Sequence, residues 1–132
     1  MSLPSVVSFP VGSVSTSTTG SPDPTTVQFS AAILVPGRTL RISVMADGSS
    51  LSGPGGATIP VTAVSWTVSS VAGGVGSSGT LTATSYRQVF QSSALTLSGS
   101  FDVTWSMAAP GAGILAGMYT QNLRWKIESV LP

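Results

Sequence analysis

Cysteine and histidine are both absent from this 132-residue chain, and charge is scarce. Without cysteine there is no disulfide framework, no thiolate nucleophile and no cysteine-ligated metal. Without histidine the commonest general base and the commonest metal ligand are missing. Arg38, Arg41, Arg87, Arg124 and Lys126 stand against Asp23, Asp47, Asp102 and Glu128, for a net charge of +1. Nucleic acid is therefore not expected as a partner, because neutralising phosphates takes several clustered cations. No run approaches the roughly 18 to 20 apolar residues of a membrane span, so none is expected. Met1-Ser2-Leu3-Pro4 has no basic start and no apolar stretch behind it, and does not read as a signal peptide.

What is present is Ser, Thr, Gly, Val and Ala in abundance, a palette that reads as extracellular or cell-surface. A mature domain given a new start methionine fits that palette better than a chain made without an export signal. On that expectation Met1 to Leu3 is an added start, and residues 1–4 lie outside the folded part. The whole chain, 1–132, is expected to be one domain, long enough to bury about two-thirds of its unfolded surface. With 42% of residues hydrophobic and charge nearly balanced, disorder is not expected.

Apolar residues recur with a period of two. Phe101, Val103, Trp105 and Met107 alternate with Asp102, Thr104 and Ser106. Tyr119, Leu123, Trp125 and Ile127 alternate with Thr120, Asn122, Arg124 and Lys126. That pattern predicts two long strands, each with one dry and one wet face, joined by a Gly/Pro loop. Thr39–Ala46 is a third strong strand, with Leu40, Ile42, Val44 and Ala46 inward. Weaker alternation predicts strands over Ser5–Val14, which Pro10 restricts to an edge or breaks, over Thr26–Val35 before a Pro36-Gly37 turn, and over Ile59–Val68. Thr80–Gln91 is β-prone with indistinct faces, which predicts an edge or a bulge midway. Ala94–Met107 reads as one long strand kinked at Gly99, or two. Ser15–Thr26 reads as a loop, and Asp47–Ala57 and Ala72–Gly79 as flexible glycine-rich connections. No window carries helical spacing with caps. About seven to nine strands with regular turn signals predict an all-β, single-domain antiparallel β-sandwich, with an open barrel as the alternative.

Catalysis is not expected. Serine needs an activating base, and neither His nor an S-x-x-K arrangement supplies one. The four acids are far apart in sequence and form no D-x-D pattern, so neither a calcium site nor a carboxylate pair about 5 to 9.5 Å apart is read from them. The glycine loops lack the G-x-x-x-x-G-K-[ST] phosphate cradle. No cofactor is expected. Trp66, Trp105 and Trp125 each sit on the apolar side of a strand and read as core, which argues against an aromatic sugar platform. Tyr119 is a candidate corner tyrosine, its hydroxyl tied to nearby backbone.

The ending Pro110–Ile127, PGAGILAGMYTQNLRWKI, resembles the closing strand of secreted bacterial surface β-sandwiches. Gly117, Tyr119, Thr120, Leu123, Trp125 and Ile127 fill the places of the Gly-x-Tyr-Thr strand in pilin subunits of the spore-coat-U type. Ala116, Gly117, Tyr119, Leu123 and Trp125 are similarly placed in WxL-type surface domains, whose tandem Trp-x-Leu signature this chain lacks. It also lacks the disulfide of many such pilins. The resemblance implies an immunoglobulin-like, pilin-like sandwich and assembly by strand donation, in which an extended segment fills the place of a missing final strand. Only Glu128–Pro132 follows the last strand, so its partner is expected from the N-terminus or from another molecule. Val7, Phe9 and Val11 on one side, and Tyr119, Leu123, Trp125 and Ile127 on the other, are the candidate strand-pairing residues. A complete sandwich whose first strand pairs with its last within one chain is the simpler expectation. The functional expectation is a structural or adhesive surface protein acting through protein partners or self-association. A carbohydrate-binding module and an all-β viral or phage structural protein are the alternatives.

Overall fold

The computed structural model describes residues 3–29, 38–93, 98–111 and 113–130. The chain is all-β, two antiparallel sheets packed as a sandwich. In chain order the strands are β1 (Val6–Val11), β2 (Thr18–Thr19), β3 (Thr25–Phe29), β4 (Thr39–Ala46), β5 (Ser50–Ser52), β6 (Thr58–Pro60), β7 (Val64–Ala72), β8 (Gly74–Gly76), β9 (Gly79–Thr80), β10 (Arg87–Ser92), β11 (Gly99–Met107) and β12 (Gly117–Val130). Two single 3₁₀ turns, Pro54–Gly56 and Val61–Ala63, complete the regular structure among the described residues. No helix there is long and apolar enough to cross a membrane.

One sheet runs β6-β5-β12-β4-β10-β8, with β1 also on β12; the other runs β2-β11-β7-β9, with β3 also on β11. The long strands predicted at Phe101–Met107 and Tyr119–Ile127 are β11 and β12, and they lie in opposite sheets. The Gly/Pro loop between them therefore crosses from one sheet to the other. β4 carries Leu40, Ile42, Val44 and Ala46 into the core as its alternation predicts, and Ser43 is buried as well.

Aromatic rings tie the two sheets together. Phe90 of β10 stacks on Phe101 of β11 at 4.7 Å and 14°, and meets Phe29 of β3 at 5.6 Å. Trp105 of β11 touches Trp66 in its own sheet and Trp125 in the other, at 6.0 and 6.3 Å. Offset and tilted contacts of this kind add about 0.5–1.5 kcal/mol each beyond area burial.

Several segments differ from the sequence reading. Ala72–Gly79 is not a free connection: β8 pairs with β10, and β9 pairs with β7. A Cβ on Gly74 would meet the Gln91 carbonyl oxygen at 2.3 Å, so glycine there serves close strand approach. Asp47–Ala57 contains β5, which pairs with β6 and with β12. Ser15–Thr26 contains β2 and the start of β3. The run Ile59–Val68 is divided after Pro60 by the Val61–Ala63 turn. Thr80–Gln91 splits because it leaves one sheet at β9 and joins the other at β10, where a bulge falls between Gln88 and Phe90. These short pieces account for twelve strands among the described residues where about seven to nine were predicted. Of the strand predicted over Thr26–Val35, residues 26–29 lie in β3, and of Ala94–Met107, residues 99–107 form β11; residues 30–37, with the predicted Pro36-Gly37 turn, and 94–97 lie outside the described residues.

Candidate interaction surface on the last strand

β12 is the longest strand and changes partners along its length. On one edge β4 pairs with Leu123–Val130, and Ser52 of β5 continues that line opposite Thr120. On the other edge β1 runs antiparallel, from Val6 opposite Asn122 to Val11 opposite Gly117. The Leu123 N–H donates to the Ser5 carbonyl at 2.8 Å, while the Asn122 carbonyl accepts from the Asp47 N–H at 2.9 Å. Backbone polar groups alternate sides along a strand. Odd-numbered residues of β12 therefore aim N–H and C=O at the β1 edge, and even-numbered ones at β4 and β5.

β1 is held on both sides. Val7, Phe9 and Val11 are buried on the inner face, as period two requires. On the edge away from β12, Ser8 and Ser21 exchange both backbone hydrogen bonds, at 3.1 and 2.7 Å. Gly20 next to it donates to the Trp105 carbonyl at 2.9 Å. β1 thus forms the seam between the sheets. Pro10 lies opposite Met118, and its missing N–H would have pointed at the seam, so the β12 ladder loses nothing. A Cβ on Gly20 would lie 2.7 Å from the Phe9 ring and 2.8 Å from Trp105.

The structure brings Val7, Phe9 and Val11 together with Tyr119. Phe9 is the Cα partner of Tyr119, and the Tyr119 hydroxyl donates to the Leu115 carbonyl at 2.6 Å, the corner arrangement the sequence predicted. Leu123, Trp125 and Ile127 lie beyond the end of β1 and take Ala46, Val44 and Ile42 of β4 as partners. Leu123 is buried and Trp125 half-buried, its indole N–H donating to the Pro4 carbonyl at 2.7 Å. Pro4 and Leu3, predicted to lie outside the folded part, thus touch it: Leu3 packs against the core. Ile127 is 47% exposed.

Trp66 and Trp105 are fully buried, and their indole N–H groups donate to the Ser77 carbonyl and the Thr25 hydroxyl. Of the acids, Asp47 pairs with Arg124, Asp102 accepts from the Thr26 hydroxyl, and Glu128 lies 3.7 Å from Arg41 and 3.8 Å from Lys126. Lys126 also sits over the Tyr86 ring, 5.0 Å from its centroid. Arg38 reaches the end of β12, with hydrogen bonds to the hydroxyl and carbonyl of Ser129 at 2.8 and 2.6 Å. Two contributors escaped sequence reasoning. Ser21 and Gly20 sat inside an apparent loop, where the pair Thr18-Thr19 was the only β signal and was too short to show a period.

No protein-family model, curated protein or solved structure matches this chain.

Proposed function

We propose that this chain is a non-catalytic structural or adhesive protein of the cell exterior that works by strand pairing, with β1 as the completing strand. The observation that carries this reading is the place β1 occupies. An immunoglobulin sandwich has sheets ordered A-B-E-D and C-F-G. Here β3-β11-β7 follow the order B-E-D, and β4 and β12 are neighbours as C and F are. The strand beside F is ordinarily the last of the chain. Here that place is taken by β1, which precedes β3, β4, β7, β11 and β12, runs antiparallel to β12 and seats its apolar side chains in the core.

A strand from the opposite end of the chain, tethered through residues 12–17, completes its own sheet or that of a second copy by the same contacts. The likeness of the Tyr119–Ile127 strand to pilin subunits, and the Ser/Thr/Gly-rich composition, favour the same reading.

The test is removal of residues 1–14, with light scattering as the readout and a peptide of residues 4–14 supplied in trans. The truncated chain is expected to lose its stable monomer and the peptide to restore it. A truncated chain that remains a stable monomer overturns the proposal.

One observation favours a second reading. With β9 and β10 included, the sheets run β1-β12-β4-β10 and β3-β11-β7-β9, the alternating four-plus-four order of a jelly roll. That order suits a viral or phage structural protein. A trimer in solution that forms with β1 held in its own chain would favour it.

A further inference from the structure

We infer that the second half of β12, Trp125 to Ser129, is an interface for a second copy of this chain, joined edge to edge about a two-fold axis at Ile127. The inference goes beyond the proposed function and does not require β1 to be exchanged, because β1 covers the other half of the strand.

Backbone geometry supplies the first part of the case. Among the described residues no strand pairs with this edge of β12 beyond the Leu123–Ser5 bond. By the alternation established at Leu123 and Asn122, the N–H and C=O groups of Trp125, Ile127 and Ser129 point outward along it. An unpaired row of this kind templates another strand. Among the described residues, the Ser129 carbonyl alone of these groups is engaged, by the Arg38 guanidinium. Ile127 is 47% exposed while its β4 partner Ile42 is fully buried, so an apolar side chain waits at the lip of the core.

Side-chain order then selects the occupant. Antiparallel pairing of two copies with Ile127 opposite Ile127 sets Lys126 of each opposite Glu128 of the other, on the outer face. Opposite charges directly across an antiparallel pair stabilise it, and like charges destabilise it. Sliding the copies by two residues in one direction sets Lys126 against Lys126, and in the other direction Glu128 against Glu128. The first slide also sets Arg124, already paired with Asp47 in its own chain, against Glu128, so the register centred on Ile127 is the one in which all facing charges are opposite. Within a single chain Glu128 is only loosely held, 3.7 and 3.8 Å from its cations, and is available to re-pair. In this register the Ile127 groups bond each other, and Trp125 bonds Ser129 of the second copy once Arg38 releases its carbonyl.

The test uses a chain in which Ser8→Cys and Thr120→Cys are joined by a disulfide, so that exchange of β1 cannot produce a dimer. Sedimentation over a concentration series is expected to approach twice the 13.2 kDa chain mass. In that background Ile127→Pro is expected to leave a folded monomer, because the N–H it removes faces away from β4. Lys126→Glu is expected to weaken association at least tenfold, and adding Glu128→Lys to restore it. A locked chain that stays monomeric throughout, or association unchanged by both Ile127→Pro and Lys126→Glu, overturns the inference. Loss of the monomer on deleting residues 1–14 is a separate result, so the two readings fail independently.

Discussion

Phe9 of β1 stands directly across from Tyr119 of β12, both are fully buried, and the Tyr119 hydroxyl is spent on the Leu115 carbonyl. The first strand therefore contributes one of the largest rings in the core. Phe9→Ala removes that ring from a closely packed site and is expected to cost about 3–5 kcal/mol in urea unfolding. Val6→Ala, three residues earlier in the same strand but 39% exposed, is expected to change stability by no more than about 0.5 kcal/mol.

Ser8 and Thr120 form a non-hydrogen-bonded pair between β1 and β12, the kind whose Cα atoms approach most closely. In a chain with no other cysteine, Ser8→Cys with Thr120→Cys forms one defined disulfide. The oxidised chain is expected to be more stable than the reduced one by about 2–4 kcal/mol, measured by chemical unfolding. Refolding at high concentration is expected to give exchanged oligomers from the reduced chain and none from the oxidised chain.

Two glycines separate crowding from conformation. A Cβ at Gly53 would lie 2.1 Å from the Tyr119 ring, whereas at Gly12 nothing comes within 4 Å. Gly53→Ala is expected to lower stability by about 1–3 kcal/mol through overpacking. Gly12→Ala is expected to be neutral, or to raise stability by up to about 1 kcal/mol by restricting the unfolded chain. Thermal melts of the pair check both.

Burial of Trp66 and Trp105 has a spectroscopic consequence. Acrylamide is expected to quench no more than the half-buried Trp125, and titration with oligosaccharides to leave the emission unchanged. A sugar-dependent shift of Trp66 or Trp105 fluorescence would revive the carbohydrate-binding alternative.

The strands legible in the sequence are those long enough to show their period. β4, β11 and β12 alternate Leu, Ile, Val or Trp with Ser, Thr or charge over at least eight residues. Val7, Phe9 and Val11 marked β1 in the same way. β2, β5, β8 and β9 have two or three residues each, all of them Gly, Ser or Thr except Leu51 and Val75. Pairing for these is decided by what the rest of the fold brings alongside, as at Gly74 against Gln91. The candidate surface was legible in half: alternation identified both strands, and Tyr119 its corner. The change of partner at Leu123 was not, because it depends on where β1 ends and β4 begins.

The antiparallel sense of β1 against β12 fixes how the molecule answers to force. Val6 lies beside Asn122 and Val11 beside Gly117, so the leading end of β1 points the same way as the trailing end of β12. A pull applied between the two ends of the chain loads this pair like a zipper, one backbone bond at a time from the Ser5–Leu123 bond onward, and not in shear. The first strand is then the first to peel, and the sheet it leaves behind is bared from Leu123 up to Gly117.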